Sequence, residues 1–417
     1  MTDLSTLRSN YETFRQMNLS LNMERGQPAD ENFDLSLPLL DIVGPEDIIT
    51  DSGLDIRNYP GGILGLPEAR EVFSEQLGIG ADEIMVGNSS SLELMSSFLS
   101  WALLKGVINS SAGWLGQSPK LIVTVPGYDR HFSLAQSLGY EHITVPMTPQ
   151  GPDMDRVEAL ASADESIKGI YFVPNYSNPT GDCLSLESAK RLVSMKCAAI
   201  DFTIFADDAY AVHHLVEPEA AAPNLLALAK ASGSADRVIL FGSTSKVTFA
   251  SAGICFAGMS TDNLKHWSKV LSQQSIGPNK IEQWRHVRFI RQYNDGIRGL
   301  MRDHATILKP KFDAVQETLQ NTIGNKGLAS WTNPKGGYIV SLDTSRPVAD
   351  KVVELAKQAG VALTPTGATF PGGVDPDNSN IRLAPTRPPL AEVEQAMQVV
   401  ACCIELASAE YDAAQAS

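Results

Sequence analysis

Lys246 is the residue best placed in this sequence to act as a nucleophilic amine. It ends the run GSTSK, in which Ser243 and Ser245 precede it, and this run directly follows the strand-like segment Val238–Phe241. A lysine flanked by small hydroxyl residues beside apolar sequence is well placed to be desolvated, and desolvation makes an amine more nucleophilic. Because most lysines are solvated surface residues, this prediction depends on the flanking sequence.

A second run of hydroxyl residues follows the apolar segment Ile84–Val86. Ser89, Ser90 and Ser91 stand directly before a predicted helix at Leu92–Leu104. Three hydroxyls and the unpaired backbone N–H groups of a helix N-terminus make a good cradle for a phosphate group. An ordinary serine N-cap is the alternative, and for this segment alone it is favoured.

An aromatic and an amide side chain follow two further strand-like segments. Tyr128 comes after Leu121–Val125, where an aromatic ring can stack on a planar ligand, although a turn with a half-buried tyrosine is the simpler interpretation. Asn178 belongs to an Asn-Pro-Thr-Gly turn after Gly169–Val173. Its amide can point into a site as a hydrogen-bond donor.

A charged residue follows one further strand-like segment, and another lies within a strand-like segment. Asp207 comes directly after Thr203–Ala206, where a carboxylate can pair with a cationic ring nitrogen, and the Tyr210 hydroxyl can reach the same ligand. A helix-capping aspartate is an equally good interpretation of Asp207. Near the C-terminus, the apolar-flanked Arg382 either binds a carboxylate through two N–H groups or is an ordinary surface arginine.

Together these residues fit one cofactor. Pyridoxal phosphate needs a Schiff-base lysine, an acid for its pyridinium nitrogen, a phosphate cradle, donors to its phenolic oxygen and a group that stacks on its ring. Its amino-acid substrate needs an arginine for the α-carboxylate. Each part is present, and each follows a strand or lies in one, as ligand-binding residues of open α/β sheets do. The sequence therefore predicts a pyridoxal-phosphate enzyme.

The elements that must position these residues change character along the chain. Over residues 50–290, short apolar runs alternate with amphipathic helices, which is typical of a mostly parallel sheet. We predict an α/β fold with this sheet in a large domain at 51–290 and a smaller α+β domain at 291–417, to which an N-terminal arm at 1–50 contributes. The strands predicted in the smaller domain are Gly337–Leu342, Val361–Thr364 and Ile381–Leu383.

Composition and charge argue against several other classes of protein. The chain has 417 residues, a net charge of −15 and no block of Lys or Arg, which disfavours nucleic acid and anionic membranes as partners. Its five cysteines form no C-x-x-C pair, so we expect no disulfide framework, no metal site and a reducing compartment. The N-terminus lacks the apolar run of a signal peptide, and no stretch approaches about 18 apolar residues. We expect a soluble, cytoplasmic protein.

The order of the motifs resembles that of the fold-type I pyridoxal-phosphate aminotransferases, from about Gly26 to Arg382. The set of Asn-Pro-Thr-Gly, Asp-x-x-Tyr, Ser-x-Ser-Lys and a late arginine is highly specific. More closely, the chain resembles a divergent bacterial aspartate aminotransferase group related to the catalytic half of MocR-like regulators. The segments that carry this closer resemblance are NYPGG, GNSSSL, VPGYDRHF, SNPTG, DDAYAVH, STSK, GPNK and NIRLAPT.

The resemblance implies a role for each residue around the cofactor ring. Lys246 would form the Schiff base and then move the proton between the substrate Cα and the cofactor C4′. Asp207 would keep the pyridine nitrogen protonated, and Tyr128 would stack on the ring. Asn178 and Tyr210 would hydrogen-bond the phenolic oxygen.

The resemblance also implies which residues bind the phosphate and the substrate. Arg382 would clamp the substrate α-carboxylate, with the backbone at Gly26 on its other side, and Asn178 would help to fix the orientation of the substrate. Tyr59 would reach the phosphate of the neighbouring subunit's cofactor, which implies a homodimer with shared active sites. The residues that would surround the phosphate are Ser89, Ser90, Ser91, Ser243 and Ser245.

The chain departs from the family pattern at two places. The family has an arginine eight residues after the Schiff-base lysine, where it pairs with the phosphate, and this chain has Ile254 instead. Our hypothesis is that Lys280 supplies the missing charge, within the subunit or across the dimer interface. The segment from Tyr59 to Gly65 is also one residue longer than the common spacing.

The resemblance implies a ping-pong Schiff-base reaction of aspartate with 2-oxoglutarate that gives oxaloacetate and glutamate. A dicarboxylic substrate needs a second cation, for which Arg25, Arg57, Arg130 and Arg285 are unranked candidates. Aromatic, kynurenine-type or 2-aminoadipate substrates are alternatives, as is a β-lyase or decarboxylase reaction on the same fold. A non-catalytic effector-binding module is a weaker alternative, because few residues precede Gly26.

Overall fold

The computed structural model describes residues 3–217 and 221–416. The helices are α1 (Leu4–Gln16), α2 (Asp30–Asp34), α3 (Pro67–Leu77), α4 (Ser91–Lys105), α5 (Asp129–Ser137), α6 (Met154–Ala163), α7 (Leu186–Ser194), α8 (Leu225–Ser232), α9 (Thr261–Leu271), α10 (Lys280–Gln292), α11 (Gly296–Ile323), α12 (Ala349–Gln358) and α13 (Leu390–Gln415). The strands are β1 (Leu21–Met23), β2 (Ile84–Val86), β3 (Lys120–Val125), β4 (Glu141–Thr148), β5 (Gly151–Pro152), β6 (Ile167–Phe172), β7 (Thr203–Asp207), β8 (Val238–Ser243), β9 (Cys255–Met259), β10 (Ala329–Trp331), β11 (Val340–Thr344), β12 (Val361–Leu363) and β13 (Asn380–Leu383).

An eight-stranded sheet has the order β2-β9-β8-β7-β6-β3-β4-β5. Strands β8, β7, β6, β3 and β4 are parallel, whereas β9 is antiparallel to both neighbours and β5 is antiparallel to β4. The central strands are buried throughout because alternate residues enter two apolar clusters, as Ile204 and Phe205 do. The predicted α/β fold with a mostly parallel sheet is confirmed.

The parallel strands bring their carboxyl ends to one edge of this sheet. Strand β7 ends at Asp207, which pairs in register with Phe241 of β8. The loops after β3, β6 and β8 carry Tyr128, Asn178 and Lys246. The topology therefore places the predicted site residues at a common edge.

A second apolar core lies against a three-stranded antiparallel sheet, β10-β11-β13, and a parallel pair formed by β1 and β12. Helix α1 belongs to this core through Leu7 and Tyr11. The Tyr11 hydroxyl donates a hydrogen bond to the carbonyl of Leu355 in α12, at 3.0 Å. The first helix and first strand of the chain thus pack with its C-terminal third.

Residues on either side of the predicted domain boundaries pack with the large sheet. Leu39 precedes residue 50, and Leu300 and Met301 follow residue 290, yet all three belong to the core of the eight-stranded sheet, against which Ile42 also packs. The boundaries at 50 and 290 remain predictions. This packing leads us to propose that the large domain extends beyond both of them.

One predicted strand begins later than its sequence indicates. The sequence predicts a strand at Gly337–Leu342, whereas β11 begins at Val340. Gly337 has a φ of 76°, which is incompatible with an extended strand. A Cβ on Gly336 would lie 2.4 Å from the Tyr176 ring, so close packing against that ring sets the path of the chain here.

No helix within 3–217 or 221–416 combines the length and apolar character needed to cross a bilayer. Over the same two ranges, no group of three or more His, Cys, Asp or Glu residues is placed to hold a metal ion.

Candidate active site

The end of β7 carries a buried carboxylate with one oxygen engaged. Asp207 is 3% exposed, and its Oδ2 lies 2.8 Å from Nε2 of His131 in α5. The His131 ring stacks on Tyr171 of β6, with centroids 3.8 Å apart. Asp207 Oδ1 is buried and has no hydrogen-bond partner among the described residues. Leaving a buried polar atom unpaired costs about 1–3 kcal/mol, so this oxygen is placed to accept a ligand N–H.

Asn178 presents a second buried acceptor at the same edge. It is 7% exposed, and within the described chain its Oδ1 has no hydrogen-bond partner. Backbone hydrogen bonds from Ser177 to Asp182 and from Gly181 to Ser177 close the turn that holds it. Because an amide offers both a donor and an acceptor, Asn178 can serve as either towards a ligand.

The backbone of Lys246 is held by two side chains from other segments. Its carbonyl oxygen accepts hydrogen bonds from the Tyr338 hydroxyl, at 3.2 Å, and from Nε2 of His213, at 3.4 Å. Burial and the nearby Lys246 charge hold the pKa of His213 well below its usual value, so His213 is neutral at pH 7. Lys246 Nζ lies 5.1 Å from the centroid of the Tyr210 ring.

The two predicted tyrosines border the same space. Tyr128 packs edge-on against His131, with centroids 5.1 Å apart. Burial raises the pKa of Tyr128 although Lys246 opposes the shift, and burial together with Asp207 raises the pKa of Tyr210. Both phenols are therefore neutral hydrogen-bond donors at pH 7. Stacking of Tyr128 on a cofactor remains a prediction.

The two serine runs, at 89–91 and at 243–245, meet at the N-terminus of α4, and we call them the serine turns. Ser245 Oγ lies 3.5 Å from the carbonyl oxygen of Ser89, and 3.4 Å from Oγ of Ser243. Gly253 permits this approach, because a Cβ there would lie 2.9 Å from the Ser89 carbonyl oxygen. Ser90 is the N-cap residue of α4, which begins at Ser91. The structure thus brings hydroxyls from both runs to a helix N-terminus that can bind an anion.

The position at which the family pattern has arginine contributes to the core. Ile254 is 1% exposed and packs in the cluster of the large sheet. Its backbone N–H and carbonyl are both paired with Thr244. This position therefore supplies no charge to the serine turns.

Lys280 is buried beside those turns but already has two acceptors. Nζ donates hydrogen bonds to the carbonyls of Gly62, at 2.8 Å, and Pro278, at 3.1 Å. Burial lowers the pKa of Lys280 to about 8. The Asn279 N–H donates to Oδ1 of Asn88 at 2.8 Å, which joins the Lys280 segment to the turn before α4.

Two side chains hold Arg382, and one of them also contacts the N-terminal segment that contains Glu24. It is 8% exposed, its Nε donates to Oγ1 of Thr364 at 3.1 Å, and its Nη1 lies 3.0 Å from Oδ1 of Asp129. The Thr364 hydroxyl in turn donates to the carbonyl of Glu24 at 2.6 Å. Gly26, two residues further on, is closely packed, because a Cβ there would lie 2.9 Å from the Ile339 side chain and 3.2 Å from that of Tyr338.

The remaining candidates lie in exposed positions, except Arg285, which is half-buried. Tyr59 is 68% exposed, so its predicted contact with a partner subunit remains a prediction. Arg57 pairs with Asp55, and Arg285 pairs with Glu282. The two other candidates are exposed and have no ion pair among the described residues; they are Arg25 and Arg130.

Comparison with known proteins assigns the chain to a family. The family model described as aspartate amino-transferase matches residues 2–416. The chain belongs to the aspartate aminotransferase family. The predicted membership of the fold-type I aminotransferases is therefore confirmed, and the protein is an aminotransferase.

Individual relatives extend this assignment. An aspartate aminotransferase from Corynebacterium glutamicum is 41% identical over 406 residues, which are 97% of this chain and 93% of that protein. The crystal structure of an aspartate transaminase from the same species matches with a TM-score of 0.94 and 40% identity, over 98% of this chain and 96% of that one. An HTH-type transcriptional regulator from Bacillus subtilis is 23% identical over 82% of this chain and 67% of its own length, in accord with the predicted relation to such regulators.

Several residues of the candidate site were not assigned roles from sequence. His131 pairs with Asp207, Asp129 pairs with Arg382, and Tyr338 and His213 hold the Lys246 carbonyl. His131 and Asp129 lie within the quoted VPGYDRHF segment, directly after a strand. That position was the available signal, but it did not identify their partners.

Proposed function

We propose that the protein is a pyridoxal-phosphate-dependent aminotransferase that transfers the amino group of L-aspartate to 2-oxoglutarate. The cofactor assignment depends on Asp207, which has one oxygen on His131 and a second oxygen without a partner in the described residues. A protonated ring nitrogen satisfies this oxygen and compensates its charge.

The other residues at this edge fit the same cofactor. Asn178 and the neutral phenol of Tyr210 suit the phenolic oxygen. The serine turns and the N-terminus of α4 suit a phosphate. Lys246 offers the amine for covalent attachment, and Tyr128 offers a ring face. When bound, pyridoxal phosphate supplies an electron sink that stabilises negative charge at the substrate Cα.

The protein side chains then have separate tasks. Lys246 Nζ removes the proton from the substrate Cα and later returns a proton. Because its backbone is held by Tyr338 and His213, only its side chain has to move. Arg382 binds the α-carboxylate and so sets the direction of the Cα–H bond.

The aspartate assignment is supported by the relative from C. glutamicum that carries this name, at 41% identity. A dicarboxylic substrate also needs a second cation. Arg25 and Arg130 are exposed and have no ion pair in the described chain, and all four arginines stay candidates, since Arg382 shows that a paired guanidinium can be proposed for the same task. Arg57 and Arg285 are already paired with carboxylates.

A homodimer with shared active sites is part of this proposal. Tyr59 and Ile276 are 68% and 66% exposed. Their turns touch, since a Cβ on Gly277 would lie 2.5 Å from the carbonyl oxygen of Gly62. Exposed aromatic and aliphatic residues on adjoining turns are typical of a surface that binds another subunit.

The absorption spectrum of the purified protein tests the proposed reaction. Protein loaded with pyridoxal phosphate is expected to show a visible band that L-aspartate alone removes and 2-oxoglutarate restores, because each half-reaction converts one form of the cofactor into the other. L-2-Aminoadipate, L-kynurenine and L-phenylalanine serve as competing donors at equal concentration. A band that responds to one of these donors but not to aspartate would show that this donor, and not aspartate, is the substrate. Release of ammonia or carbon dioxide without a 2-oxo acid acceptor would show that the reaction is a lyase or decarboxylase reaction and not transamination.

Lys280 is expected to strengthen binding of the cofactor phosphate. It has one further N–H to donate, and its segment is joined to the serine turn through Asn88. We expect Lys280→Met to raise the dissociation constant of pyridoxal phosphate for the apoprotein by about tenfold, as loss of one charge-assisted contact does. Lys265→Met removes an exposed lysine paired with Asp262 and serves as the control in the same titration. An unchanged constant in Lys280→Met would exclude this role.

A further inference from the structure

Arg382 shares an ion pair with a carboxylate of its own chain. Asp129, the first residue of α5, approaches the guanidinium to 3.0 Å. The Arg382 side chain is 8% exposed and that of Asp129 is 37% exposed. A buried guanidinium needs a counter-charge, because an uncompensated charge is costly in a poorly solvated position.

Backbone contacts hold Asp129 in place. The N–H of Gly127, two residues earlier, donates to the carbonyl of Thr369 at 2.8 Å. This bond connects the turn before α5 to the segment that leads into β13, the strand that carries Arg382. Thr364 fixes the guanidinium from its Nε side. The orientation of Arg382 is therefore defined by two groups on different segments.

The guanidinium can bind a substrate while it keeps both contacts. Arginine has five N–H groups in one plane, and Thr364 and Asp129 occupy one each. Nη2 makes no hydrogen bond within the described residues, so Arg382 keeps N–H groups that can donate to a carboxylate. Such a carboxylate would share the guanidinium with a second negative charge, which repels it.

We infer that Asp129 is a positioning residue of the substrate site, which orients Arg382 and at the same time weakens the binding of every substrate carboxylate. The inference rests on the proposed function, since it takes Arg382 as the binding group for the α-carboxylate. The repulsion acts on the α-carboxylate and hence equally on amino acids and 2-oxo acids.

Two substitutions separate the charge of Asp129 from its orienting role. Asp129→Asn keeps an oxygen that accepts from Arg382 but removes the charge, so we expect the KM for both substrates to fall by about 3- to 10-fold with kcat unchanged. Asp129→Ala removes the acceptor as well, so we expect its KM to exceed that of Asp129→Asn by about tenfold. Asp155→Asn, which removes a charge from the exposed pair with Arg191, is the control and should leave KM unchanged.

The outcomes distinguish this inference from the function on which it rests. An unaltered KM in Asp129→Asn, or equal KM values in the Asn and Ala variants, would overturn the inference. Arg382→Lys is measured beside them: if it leaves KM unchanged too, Arg382 does not bind the carboxylate and its proposed role fails as well. If the wild type rejects aspartate, the same series is run on the amino acid that it accepts, because every such donor carries an α-carboxylate.

Discussion

Lys246→Ala is expected to lower kcat by about 10⁴-fold or more, because it removes both the nucleophile that attaches the cofactor and the base at the substrate Cα. The fold should survive, since Tyr338 and His213 bind the backbone carbonyl of Lys246 and not its side chain. Proton exchange at Cα provides a measurement that is independent of turnover. In deuterated water the wild type is expected to exchange the Cα proton of L-aspartate, and the variant is not.

Lys168→Met is the matched control for the lysine substitution. Lys168 is also buried and lies 3.2 Å from Asp201, but it stands at the beginning of β6, at the opposite end of the strand from the site. We expect this variant to lose stability and to keep its kcat and its Cα proton exchange. A Lys246→Ala protein that retained a tenth of the wild-type kcat, or that still exchanged the proton, would contradict the assignment of Lys246.

The sequence could predict that the candidate site residues share one edge of the sheet, because their placement follows from local rules. Apolar runs bounded by turn residues predicted the strands of the large sheet, and β2 spans the predicted residues Ile84–Val86. Once the strands are parallel, their carboxyl ends share one edge, so residues that directly follow them must lie there. Lys246, Asp207, Asn178 and Tyr128 were all proposed by this rule, and the structure places them at that edge.

Contacts between distant segments could not be predicted in the same way. Asp129 and Arg382 are 253 positions apart, and His131 and Asp207 are 76 positions apart. Spacing along one strand or helix carries no information about such pairs, since they depend on how whole elements pack. The late start of β11 has the same origin, because the Tyr176 ring that constrains Gly336 belongs to another loop.

The sequence also could not identify the residue that compensates the charge of the phosphate. The absence of arginine at Ile254 was evident from the sequence, but its consequence was not. The structure places Ile254 in the apolar core with its backbone paired to Thr244, so this position contributes packing and no charge. The buried position of Lys280, and its pKa lowered to about 8 by that burial, depends on the distant Gly62 turn.

Asp207→Asn is expected to lower kcat by about 10³-fold with little change in KM. The substitution keeps the shape of the side chain and an oxygen that accepts a hydrogen bond, but it removes the charge that would keep a ring nitrogen protonated. Loss of one preorganised electrostatic group of this kind costs about 10²–10³ in rate. Substrate affinity should be retained, because Arg382 is held by Thr364 and Asp129 and not by Asp207.

The adjacent aspartate offers a closely matched control. Asp208 is also buried, but it accepts a hydrogen bond from Asn175 at 2.7 Å, whereas the His131 ring pairs with Asp207. Burial, and to a lesser extent Asp207, raises the pKa of Asp208 to about 7, so an amide closely mimics its protonated form. We expect Asp208→Asn to keep kcat within about threefold of the wild type. If Asp207→Asn and Asp208→Asn lowered kcat equally, the loss would reflect disturbance of the strand end, and Asp207 would have no special role towards the cofactor nitrogen.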